Sequence, residues 1–160
     1  MSQDLETMGL GLAWDELPIG RRFCTVRRTI TESDLIGFIG NTGMLEVLFT
    51  DTFTQDNNTI RGRLVPAALV YTFSEGLLIQ SVLQGVGVAF IDMQLSVVSP
   101  TFVGDTIRVE VEVTESRASR SRPDLGLVRT RNTVVKQDGT PVLEYTPLRM
   151  LRSSASLGGH

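Results

Sequence analysis

"RLVPAALVYTFSEGLLIQSVLQG", Arg63 to Gly85, decides the architecture. Pro66 suits the first turn of a helix, where its missing N–H costs nothing, and Gly85 suits the end. Between them Ala67, Leu69, Tyr71, Phe73, Leu77, Ile79 and Leu83 put apolar groups on nearly every face. A helix apolar most of the way round is buried. It is not a membrane span: Ser74, Glu75, Gly76 and Gln80 interrupt the run, and a span needs about 20 largely apolar residues.

Downstream of Gly87 the period changes to two. Ile107, Val109, Val111 and Val113 alternate with Arg108, Glu110, Glu112 and Thr114, the pattern of a half-buried antiparallel strand. Ala89, Ile91, Met93, Leu95 and Val97 give a second alternating face. "LGLVRTRNTVV" and "PVLEYTPLRML" give two more strands, and the Asp138–Gly139 pair between them is a hairpin signal. "SRASRSRPD" reads as a mobile polar hairpin tip.

Upstream, "RRFCTVRRTI" reads as a first strand, with Cys24 a small buried thiol in it. Thr31 with Asp34 forms a capping box opening a short helix from Glu32 to Ile39, which Gly40 stops. "LEVLFTDTF" suits a second short helix and "TQDNNT" an exposed loop. Residues 1–13 read as a loose leader and 153–160 as a disordered tail, leaving 14–152 as one domain. Strand, short helix, one long buried helix and then antiparallel strands make an α+β fold. A single buried helix needs a sheet curved around it, which is the hotdog fold.

Composition narrows the function classes. Of 160 residues, 41% are hydrophobic and 21% charged, as in an ordinary soluble globular protein. A formal net charge of −3 provides no general field for nucleic acid or acidic membranes. Cys24 is the only cysteine, so neither an intrachain disulfide nor a cysteine zinc site is expected. His160 is the only histidine and the last residue, which argues against any mechanism built on a positioned imidazole. No secretory signal pattern opens the chain, so the expected location is the cytoplasm. "GVG" at Gly85 to Gly87 is a turn rather than a nucleotide loop, and no metal-ligand spacing is present.

Three stretches carry a resemblance. "SPTFVGDTIRVEVEV", Ser99 to Val113, resembles the Gly-Asp strand junction of MaoC-like dehydratases and (R)-specific enoyl-CoA hydratases. "LPIGRRF" with "TITESDLIGFIGNTG" resembles their opening, and "GRLVPAALVYTFSEGLL" the start of their central helix. The likeness runs from about Trp14 to Arg152. It implies a hotdog enzyme that adds water to, or removes it from, a 2-enoyl-CoA. It implies no cofactor beyond the CoA or acyl-carrier part of the substrate. In the family an Asp and a His after the first helix hold and activate the water; matched here, those positions are Asn41 and Glu46. The oxyanion donor would be the backbone N–H of Ala67.

The chemistry of these residues is asymmetric. Asn41 can hold a water but cannot transfer its proton. Glu46 can, and burial in an apolar pocket would raise its pKa toward the working pH. The structural alternative is a solvated loop carboxylate beside a helix-ending asparagine. Ala67 supplies an N–H whatever its side chain. Glu75, mid-helix in an apolar run, needs a partner or a purpose. It matches the spacing of a base in hotdog acyl-CoA thioesterases, which sets a second reading beside a structural hydrogen bond. Among Arg61, Arg63, Arg117, Arg120 and Arg122, Arg63 is the candidate for a CoA phosphate. A third reading is a non-catalytic acyl-CoA-binding partner subunit. An open sheet edge implies a homodimer, a dimer of dimers or a heteromer.

Overall fold

The computed structural model of the chain describes residues 7–53 and 62–157. Among these, strands β1 (Arg22–Cys24) and β2 (Arg28–Thr29) come first, then helices α1 (Glu32–Thr42) and α2 (Val47–Thr50). Strand β3 (Leu64–Val65) leads into the long helix α3 (Ala67–Leu78), which continues as a π turn over Ile79–Leu83. Strands β4 (Gly87–Asp92), β5 (Leu95–Val97), β6 (Thr101–Phe102), β7 (Thr106–Ala118), β8 (Leu125–Val135), β9 (Pro141–Tyr145) and β10 (Leu148–Arg152) follow.

The main sheet is antiparallel, in the order β1–β7–β8–β10–β4. Strand β2 continues the β1 position on β7, β9 continues the β10 position on β8, and β5 continues the β4 position on β9. The sheet thus has five positions and curves around α3, as the hotdog fold requires. Its inner face supplies Val109, Val111, Val134, Leu143 and Tyr145, which bury Leu69, Val70 and Leu78 of the helix. No helix among the described residues is long and apolar enough to cross a membrane.

Several elements differ from their sequence readings for local reasons. The first strand is split because the Thr25 hydroxyl accepts the Val109 N–H that a regular ladder would give to backbone. Cys24 faces out and is exposed, which corrects its reading as a buried thiol: Phe23 takes the inward position instead. Helix α1 runs past Gly40 to Thr42, because Gly43, not Gly40, adopts the left-handed conformation that ends it (φ 73°). Its capping box is as expected: Thr31 Oγ1 accepts the Asp34 N–H, and Asp34 accepts the Thr31 N–H. Helix α3 with its π turn is less enclosed than its composition suggests, since Thr72 and Ile79 are exposed. The guanidinium of Arg28 lies 3.6 Å over the Phe73 ring. The Asp-Gly hairpin forms, with Gly139 at φ 85°.

Two segments read as loose are tied down in their described parts. Gly11 and Leu12 donate N–H groups to the carbonyls of Gln84 and Val82, at the end of the π turn. Ser154 donates both its N–H and its hydroxyl to Asp15, and Leu157 packs beside Trp14 and Leu151. The hairpin tip is closed by bonds from Ser119 N to Leu125 O and from Leu125 N to Arg122 O. The "TQDNNT" loop, Arg61 and His160 lie outside the described residues.

Candidate functional site

A cleft of about 380 Å³ opens where α3 begins. Phe49 of α2, Val65, Val70, Val97, Val142 and Leu143 line it together with Ser99 and Thr101, so its wall is mostly apolar. Ala67 is half-buried in this wall. The Pro66 carbonyl accepts the N–H groups of Leu69 and Val70. Those of Ala67 and Ala68 stand first in the helix, where no intrahelical acceptor exists. Beside Ser99 and Thr101, this mostly apolar cleft therefore adjoins the first N–H groups of a 12-residue helix, at its positive end. That arrangement suits a carbonyl oxygen attached to an apolar chain.

The structure separates the other sequence candidates from this cleft. Asn41 is exposed in the last turn of α1. Glu46 is the N-cap of α2: its Oε2 accepts the Leu48 N–H at 2.7 Å, and the residue is exposed rather than buried in a pocket. Neither is among the described residues lining the cleft. Arg63 is engaged within the chain, its Nε and Nη2 on the Glu32 carboxylate and its Nη1 on the Phe49 carbonyl. It braces α1 and α2 against β3, the strand that leads to Ala67. On the hairpin tip, Arg117 pairs with Glu115 and Arg122 with Asp124.

Glu75 has the partner that its position demands. Its carboxylate takes Arg149 Nη2 at 2.6 and 2.7 Å and the Tyr145 hydroxyl at 3.0 Å. Arg149 is 9% exposed, so the pair is largely removed from water. Burial, above all, raises the Tyr145 hydroxyl well above its ordinary pKa, and the Glu75 charge adds to the shift. Tyr71 meets Tyr145 edge to face at 5.3 Å and is shifted the same way, by burial first. A carboxylate held in this way is engaged in an ion pair between α3 and β10.

Arg149, Tyr145, Asn132 and Thr130 escaped the sequence reading as a group. The signal was the phase of the alternation. Val128 and Val134 face the helix, so Thr130 and Asn132, two residues apart between them, must face it too.

The inner face of the far edge is uncovered. Helix α3 does not reach across β4 and β5, and Val88, Phe90, Leu95 and Val97 are 38–59% exposed there. Val97 belongs to this strip and to the cleft wall, so whatever covers the edge also borders the cleft.

No family model matches the sequence, and no curated protein matches it. Solved structures do. A MaoC-like dehydratase from Rhodospirillum rubrum is 25% identical, with a TM-score of 0.79 over 89% of this chain and 98% of that one. An (R)-hydratase from Pseudomonas aeruginosa is 20% identical, with a TM-score of 0.75 over 90% and 88%. A 3R-hydroxyacyl-ACP dehydratase complex from Mycobacterium tuberculosis is 14% identical, with a TM-score of 0.65 over 82% and 96%. The chain shares the hotdog fold with the MaoC-like dehydratases and (R)-hydratases.

Proposed function

We propose that this protein acts on acyl thioesters as a hydratase or dehydratase. A 2-enoyl or 3-hydroxyacyl thioester would lie in the apolar cleft with its carbonyl oxygen on the Ala67 N–H. The observation that supports this reading is that Ala67, the first residue of the central helix, is half-buried in the wall of a mostly apolar cleft. The polarised carbonyl draws electron density from the double bond, so water adds at C3 and a proton at C2. In this reading Glu46 would take the proton from water and return it to C2, with Asn41 holding the water, and both would have to turn toward a cleft that neither lines in this structure. Only one Glu46 oxygen caps α2, which leaves the other for this role.

A second reading is favoured by the exposure of Asn41 and Glu46 and by the uncovered β4–β5 edge. On it, the chain binds the acyl thioester and a different hotdog chain, docked along that edge, supplies the acid and base. The similarity to a dehydratase complex supports the same idea. A homodimer along the edge fits the first reading equally well.

Mass spectrometry after incubation with a panel of 2-enoyl-CoA thioesters tests both. Gain of water with CoA retained, lost in Glu46→Gln, supports the first reading. Binding without turnover, with turnover appearing on addition of a co-purifying chain, supports the second. Release of free CoA would overturn both and return attention to Glu75.

A further inference from the structure

Behind the cleft the core turns from carbon to polar. Ala67, Tyr71 and Glu75 stand at i, i+4 and i+8 on α3, on one stripe of the helix. Opposite them, Leu143 and Tyr145 share a face of β9, and Tyr145 pairs across the sheet with Asn132. Asn132 is 0% exposed, yet neither its amide oxygen nor its amide nitrogen has a hydrogen-bond partner in the protein. The Tyr145 hydroxyl donates to Glu75, so toward the neighbouring Asn132 amide it can only accept, which leaves the amide oxygen and its second N–H without a protein partner. Thr130 Oγ1, on the same face two residues away, is also buried and unpaired. On β7 their cross-strand neighbours are Val111 and Val113, which offer no polar side-chain atom. Buried polar atoms are almost always satisfied, and an amide next to a hydroxyl presents donors and acceptors together.

We propose that Asn132, Thr130 and the Tyr145 hydroxyl form an internal polar subsite that takes a small neutral hydroxyl-bearing group. The charge of Glu75 is already matched by Arg149, so nothing there selects an ion. Two sources share this chemistry. One is water. The other, which rests on the acyl-thioester reading, is a hydroxyl on the acyl chain. Eight residues of helix separate Ala67 from Glu75, a rise of about 12 Å, so that hydroxyl would sit toward the far end of a medium-length chain.

The test is a high-resolution crystal structure of the full chain, alone and with two acyl-CoAs of equal length, one unsubstituted and one hydroxylated at its end. The subsite predicts ordered density within hydrogen-bond distance of the Asn132 amide and Thr130 Oγ1 in the free protein. If water is the resident group, it stays in place and the two thioesters bind equally. If the acyl hydroxyl is the intended occupant, the hydroxylated thioester displaces the water and binds roughly tenfold tighter. Asn132→Leu then abolishes that preference while the unsubstituted thioester still binds. An empty site, with the Asn132 amide bonded only to protein, overturns the subsite. Failure of both thioesters to bind would overturn the acyl-thioester reading alone, because the free-protein map decides the subsite by itself.

Discussion

Ala67 contributes through its backbone, which makes it separable from its side chain. Pro66 has ψ 136°, the extended conformation that tolerates a following proline. Ala67→Pro therefore deletes one N–H at a position where proline fits a helix. Turnover of a 2-enoyl-CoA is expected to fall about 10²-fold or more, the usual loss for one oxyanion donor. Ala67→Gly keeps the N–H and should keep most of the rate, and circular dichroism should show both variants folded. Asp105 gives a pH-dependent expectation. Burial works to raise its pKa, but Lys136, the Phe102 N–H and Gln137 outweigh that and hold it below the ordinary 3.8. The stability it contributes is therefore present above pH 3.8 and lost as the pH falls toward the lower folded value. Asp105→Asn should be less stable at pH 7 in denaturant titrations, and its deficit should shrink on acidification below the ordinary aspartate range.

At the scale of elements, α3 is joined to the sheet by an ion pair, and its π turn is held by the Gly11–Leu12 segment, the strap. The Glu75–Arg149 pair joins the helix to β10, with the side chains only 17% and 10% exposed. Removing one partner leaves a buried charge, so Arg149→Met alone should cost about 3–5 kcal/mol. Glu75→Leu combined with Arg149→Met should recover most of that loss, since an apolar pair of similar size replaces both charges. Urea unfolding of the single and double variants measures this. The strap leaves no space beside Gly11: a Cβ there would meet the Val82 carbonyl oxygen at 2.2 Å. Gly11→Ala should therefore push the segment off the π turn and cost about 1–3 kcal/mol, a typical overpacking cost. A thermal melt would show it as a lowered Tm.

Across the whole molecule, the uncovered β4–β5 strip is an unmet demand for burial. Val88, Phe90, Leu95 and Val97 lie on the inner face but beyond the reach of this chain's own helix. A second hotdog chain continuing the sheet would bury them and pair the open edge. Phe90→Glu should leave the protomer folded and convert the assembly to monomers in sedimentation velocity. Because Val97 borders both the strip and the cleft, loss of assembly should weaken acyl-thioester binding as well.

The fold was legible in the sequence because its two periods were legible. An apolar helix opened by Pro66 and long alternating strands after Gly87 admit few arrangements, and each rests on contacts close along the chain or on strict alternation. The start of that helix at Ala67 was legible for the same reason: a helix N-terminus is a local feature. The ends of elements were less so, since Gly40 and Gly43 are equally able to stop α1 and only the packed chain selects Gly43. Sequence could not place Glu46, because whether a carboxylate caps a helix in water or enters a pocket depends on residues far away along the chain. Nor could it assemble Glu75 with Arg149, 74 residues apart. Periodicity and chain order determined that a helix lies in a curved sheet. Long-range register alone decided which polar groups meet behind it and which face is left for a partner.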